Sequence, residues 1–117
     1  MNMSWLILHA TTLSLLLALS HGILRWIAEQ RSASYWTMLV EHRIWFTLAL
    51  AIYGFVFLYY TNVLRTGRIA LLYPTYTGLS VILVFLVGVF YFDESVSVAQ
   101  VVGCLLIVLG VVLVARA

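Results

Sequence analysis

The chain has 117 residues, 65% of them hydrophobic and 9% charged, with a formal net charge of +2. A soluble domain carries about 25% charged residues, so this composition excludes a water-facing globule. The six basic residues, all arginine and scattered along the chain, exclude a nucleic-acid-binding patch. A single cysteine, Cys104, excludes an internal disulfide and a cysteine-based metal cluster, and no cofactor is expected.

Asp, Glu and Arg leave four long gaps, at 1–24, 44–64, 69–92 and 95–115. A bilayer core requires about 20 apolar residues per helix, so each gap spans it. The expected fold class is all-α, an integral membrane bundle of four transmembrane helices, with one domain over 1–117 and helices at about 4–28, 43–64, 68–91 and 98–116. A membrane β-barrel would alternate in segments of roughly 10 residues, whereas these apolar runs are continuous. The first gap has no preceding Lys or Arg and no small-residue cleavage site after it, so it reads as a span and not as a signal peptide.

The first span carries His21 and Arg25, four residues apart and therefore on one face. An ionisable group inside a membrane is a functional candidate by default, although Arg25 lies close enough to the helix end to snorkel to the interface. A carbonyl-bonded histidine and a substrate ligand are equally compatible with His21. His9 lies near the helix start and reads as interfacial. The linker 29–42 is polar but contains Tyr35, Trp36, Met38 and Leu39, which places it along the membrane surface. Trp5, Trp26, Trp36 and Trp45 all fall near helix ends, as an aromatic belt requires.

The second and third spans are joined by the short turn at Thr66 and Gly67, which predicts antiparallel neighbours. On the third span Tyr73, Tyr76, Thr77 and Ser80 form a polar stripe, and Pro74 sits among them. Pro74 has no N–H, so the carbonyl near Ala70 loses its partner and a kink is expected. A stripe beside a kink reads as a cavity wall, while hydroxyls bonding back to their own helix are the plain alternative. Ser97 and Gln100 fit a capping box for the fourth span. Gly103 and Gly110, with Ile107 between them, predict a helix–helix contact, possible between chains, because small residues let backbones approach closely in lipid.

Arg25, Arg31 and Arg43 share one membrane face with Glu29, Glu41, Asp93 and Glu94, and Arg65, Arg68 and Arg116 share the other. Three arginines against three set no orientation by the positive-inside rule, which fits one fixed orientation, a partner-set one, or a chain that inserts both ways. Guanidinium groups at the first face suit a phosphate, which they match bidentately. A tie between Glu94 and Arg25 or Arg43 suits them equally. No phosphate loop, His-x-x-x-His pair or nucleophile elbow occurs, so no enzyme is expected.

The stretch Phe92-Asp93-Glu94-Ser95-Val96-Ser97, followed by Gln100, Gly103, Leu106-Ile107, Gly110-Val111 and Leu113, resembles the signature of the drug/metabolite transporter superfamily, in its small four-helix members. The length, the four spans and the segment from Tyr73 to Gly78 extend the resemblance over most of the chain. Small multidrug resistance proteins, one such group, are antiparallel dimers that exchange protons for cationic drugs through a Glu in the first helix. The resemblance puts that position at Leu17, and no acid precedes Glu29. It also puts Tyr76 at a binding-site Trp and Gly103 and Gly110 at dimer-contact glycines. A second group, flippase subunits for polyprenyl-phosphate-linked sugars such as aminoarabinose in the bacterial inner membrane, lacks the Glu and works in pairs.

The resemblance to that second group implies a transporter subunit, a homodimer or a heterodimer with a sister subunit, whose partner is a membrane lipid. Arg25 and Arg43 would hold the phosphate, and His21, Tyr73, Tyr76, Thr77 and Ser80 would bond the sugar. A proton-coupled exporter using His21, and a membrane assembly subunit without transport, are the two other expectations.

Overall fold

The computed structural model describes residues 3–116; the ends of the expected domain, residues 1, 2 and 117, lie outside the described residues. Five helices occur in order: α1 (Met3–Glu29), α2 (Tyr35–Glu41), α3 (Arg43–Leu64), α4 (Ile69–Phe90) and α5 (Val98–Arg116). Four of these are long and apolar enough to cross a membrane. The shortest, α5, has 19 residues, about 28 Å at 1.5 Å per residue, close to the roughly 30 Å hydrocarbon core. The all-α, four-span architecture is thus observed.

The helices stand in a row. The molecule measures 50 × 37 × 17 Å, and its helices touch in the order α3, α1, α4, α5. α1 packs between α3 and α4, and α5 lies outside α4. α3 and α4 are therefore not the full-length neighbours that their short turn predicts, because α1 occupies the space between them. The reason lies in α1, which buries residues on two sides. Ala10, Ser14 and Ala18 are buried at intervals of four residues, and Gly22, the next in the series, leaves Val87 of α4 3.7 Å from where a Cβ would stand. Leu6, Leu13, Ser20 and Ile27 are buried at intervals of seven, and the Ser20 hydroxyl donates to the Ala49 carbonyl of α3 at 3.0 Å. The small residues of the first series let α1 approach α4 closely, and the Ser20 bond ties it to α3, two means by which helices associate in lipid.

α2 was expected only as an interfacial linker. Ser34 caps it, its hydroxyl accepting from the Thr37 N–H at 3.2 Å, and none of its residues is buried. At α5 the expected capping box is present: Gln100 N–H donates to the Ser97 hydroxyl at 3.2 Å, and Ser97 N–H donates to Gln100 Oε1 at 2.8 Å.

Candidate functional site

The expected site residues fall into two groups near opposite membrane faces. Arg25 lies beside the turn that follows α4, whereas Tyr73 and Tyr76 lie in the first two turns of α4. Sixteen residues separate Tyr76 from Phe92, about 24 Å along a helix.

At the first face, Arg25 is held by two carboxylates. Its Nε lies 3.3 Å from Glu94 and its Nη2 lies 3.4 Å from Glu29, and the guanidinium sits 5.8 Å from the centre of the Phe92 ring. Local backbone explains how Glu94 gets there. Asp93 takes φ of 52°, a left-handed position that Asp tolerates better than most residues, and Glu94 N–H then donates to the Gly88 carbonyl at 3.0 Å. A Cβ on Gly88 would stand 3.0 Å from the Glu94 carboxylate, so glycine leaves room for it above the end of α4. Arg25 is thus tied to Glu94. Its distances exceed the 2.7–2.9 Å of tight charge-assisted bonds.

Arg43 is exposed and donates to the Val40 carbonyl at 3.2 Å, with no ion pair among the described residues. His21 does not turn to the same partner as Arg25: its Nε2 meets the Tyr53 hydroxyl of α3 at 3.0 Å. A groove of about 470 Å³ opens beside this end between α1 and α4. It is apolar, with Leu19, Ile23, Trp26, Trp45, Tyr91 and Phe92 among its walls.

Near the other face the polar stripe is only partly available. Ser80 is buried and its hydroxyl donates to its own helix, at the Thr77 carbonyl, 2.8 Å away. Thr77 is half-buried, Tyr76 is buried and Tyr73 is exposed. Tyr60 of α3 joins them, its ring 5.0 Å from Tyr76 and 6.3 Å from Tyr73. Its hydroxyl is buried with no hydrogen-bond partner among the described residues, the kind of group that native structures rarely leave unexplained. Tyr60 was not anticipated. Its signal is faint, one tyrosine in an aromatic-rich span, although it lies only 13 residues before Tyr73 across a short turn. α4 runs on as one helix through Pro74, so the stripe faces its neighbours without a break.

The fourth-span contact divides differently from its expected form. A Cβ on Gly78 would overlap Val111, and Ile107 stands 3.7 Å from it. Ile107 therefore belongs to the α4–α5 contact within the chain. The Cβ positions of Gly103 and Gly110 meet nothing within 4 Å among the described residues.

Four apolar spans define a multi-pass membrane protein. A family model described as Small Multidrug Resistance protein matches residues 3–107. The chain belongs to that family, one of small membrane transporters and not of enzymes. No curated protein and no solved structure matches it.

Proposed function

We propose that the chain is a flippase-type transporter subunit, a single four-helix domain acting as a pair. It would move a polyprenyl-phosphate-linked sugar of the aminoarabinose kind across the bacterial inner membrane. The observation that carries this reading is the apolar groove, whose lining holds no Asp or Glu and whose wall Phe92 lies 5.8 Å from the Arg25 guanidinium. A cation finds no anionic ligand in the groove lining, whereas a lipid tail fits an apolar groove and a phosphate suits guanidinium. Glu94 holds Arg25 at 3.3 Å with both side chains about half exposed, a pair worth about 0–1 kcal/mol. The phosphodiester monoanion of a polyprenyl-phosphate-linked sugar competes with Glu94 for Arg25, and Arg43, which has no ion pair among the described residues, is at hand to share the load. The unbonded Tyr60 hydroxyl, with Tyr73, Tyr76 and Thr77, supplies hydrogen-bonding capacity for a sugar near the other face.

The test is translocation of a fluorescent polyprenyl-phosphate sugar in liposomes, read by quencher added outside. Expected is quenching of both leaflets with the protein and of one leaflet without it, with the rate reduced at least fivefold by Arg25→Ala. Unchanged translocation in Arg25→Ala removes the phosphate assignment. A second reading, proton-coupled export, draws on the His21–Tyr53 bond, since histidine titrates nearest physiological pH. It requires efflux that depends on pH and disappears in His21→Gln.

A further inference from the structure

The two membrane faces differ in sign. One gathers Arg25, Arg31 and Arg43 with all four carboxylate side chains, Glu29, Glu41, Asp93 and Glu94, for a net −1. The other has Arg65, Arg68 and Arg116 and no acidic side chain among the described residues, for a net +3. A hollow of about 420 Å³ opens on that positive face, where the start of α1 meets the end of α3, lined by Trp5, His9, Asn62, Val63, Arg65 and Thr66. Its size falls in the range of small-molecule sites, about 300–1,000 Å³.

The lining is rich in hydrogen-bond donors. Arg65 forms no ion pair among the described residues, in contrast to Arg25 at the other face. Asn62 is exposed, and its side chain is free to turn its amide N–H groups inward. His9 Nδ1 lies 2.6 Å from the Tyr59 hydroxyl. With that hydroxyl donating, the neutral ring keeps its proton on Nε2 and becomes a further donor. Thr66 touches the Val63 carbonyl only at 3.5 Å. Trp5, edge-on to His9 at 4.6 Å, places the hollow at the level where indoles mark the membrane interface.

We propose that this hollow is a binding site for a phosphate group, with Arg65 as its charged ligand and Asn62 and His9 as neutral donors. Guanidinium matches phosphate oxygens in pairs, and no carboxylate pairs with Arg65 among the described residues. The phosphate comes from a lipid headgroup or from free phosphate, since the donors read the same oxygens in both. The site goes beyond the transport reading and stands for a chain that moves no lipid. If the chain does flip a phosphate-bearing lipid, the hollow gives the headgroup a landing place at the face opposite Arg25.

Full-length protein in detergent micelles, titrated with dihexanoyl phosphatidic acid and separately with inorganic phosphate, tests it. The readouts are the nitrogen NMR signals of the Arg65 and Asn62 side chains. Phosphatidic acid is expected to shift both saturably. Arg65→Gln, followed at Asn62, is expected to raise the Kd at least tenfold. Arg68→Gln removes the same charge from the same face outside the hollow, and is expected to raise it less than threefold. Inorganic phosphate saturating the signals at similar concentration identifies free phosphate as the ligand, and one binding at least tenfold more weakly identifies a lipid headgroup. Absence of a saturable shift with either probe overturns the site, as do equal losses in the two variants or equal binding of dihexanoylglycerol, which has no phosphate. Binding without any lipid translocation would leave this site standing and remove the transport reading alone.

Discussion

α1 and α5 are both long, apolar and lipid-compatible, yet they use their side chains in opposite ways. α1 buries seven residues and packs on two neighbours. α5, the most apolar of the four spans, buries none and leans mainly on α4. In water such a difference would be decided by the hydrophobic effect, but lipid is as apolar as a protein interior. Helices associate there by shape and by hydrogen bonds. α1 has the small residues and hydroxyls that give close contact, whereas α5 presents Leu105, Leu106, Leu109 and Leu113 outward. Hydropathy identifies a span; side-chain size decides which spans form the centre.

Matched truncations give the sharpest form of that contrast. Leu13 is fully buried in α1 and Leu105 is 63% exposed on α5. Leu→Ala in a core costs about 2–5 kcal/mol, and the low end applies here because lipid takes away most of the transfer term. Leu13→Ala is thus expected to cost about 2 kcal/mol, against less than about 0.5 kcal/mol for Leu105→Ala, read by SDS titration in mixed micelles. Equal losses would mean that α5 is as integral to the single chain as α1. Next in size is Gly78→Val, which drives a methyl-bearing carbon into Val111 and is expected to cost about 1–3 kcal/mol by overpacking. Its signature is faster amide exchange in α5 with α1 unchanged. Smaller again is Ser20→Ala, which removes the bond to Ala49 and should cost about 0.6 kcal/mol, the average for hydrogen bonds between membrane helices. The same SDS titration checks it.

The spans themselves were legible because charge is so costly in lipid that the arginines and carboxylates mark their ends. The cap at Ser97 and Gln100 was legible because it is local. What could not be read was which helix touches which. The turn at Thr66 and Gly67 suggested α3 beside α4, but a turn fixes only where two helices begin to part, and α1 fills the space beyond it. The spacing of Ala10, Ser14, Ala18 and Gly22 did hold that information, as a run of small residues at intervals of four. For the candidate site, the sequence offered Glu94 a tie to Arg25 or Arg43 without choosing the arginine or deciding between a tie and a phosphate ligand. Tyr53 and Tyr60 escaped notice because the partner of His21 and the neighbour of Tyr76 depend on tertiary contacts. Ile107 was grouped with Gly103 and Gly110 on spacing alone, and only the approach of α4 at Gly78 separates them.

That separation supplies the smallest effect on the fold and the most informative one about assembly. A Cβ added at Gly103 or Gly110 meets nothing within 4 Å among the described residues, so a side chain there starts into open space. Gly103→Leu combined with Gly110→Leu should therefore leave the SDS unfolding midpoint of the single chain within about 0.5 kcal/mol of the parent, slightly raised if anything, because leucine favours helix over glycine. The paired state should behave differently. Glycines let two backbones approach closely, and leucines at both positions hold them apart. If the open side of α5 is where a second copy sits, the double variant dissociates at least tenfold more easily by analytical ultracentrifugation in detergent, with the fold intact. If that side faces only lipid, association is unchanged, and pairing must use another face, with the exposed side of α3, where Phe55, Phe57 and Leu58 point outward, as the next to probe.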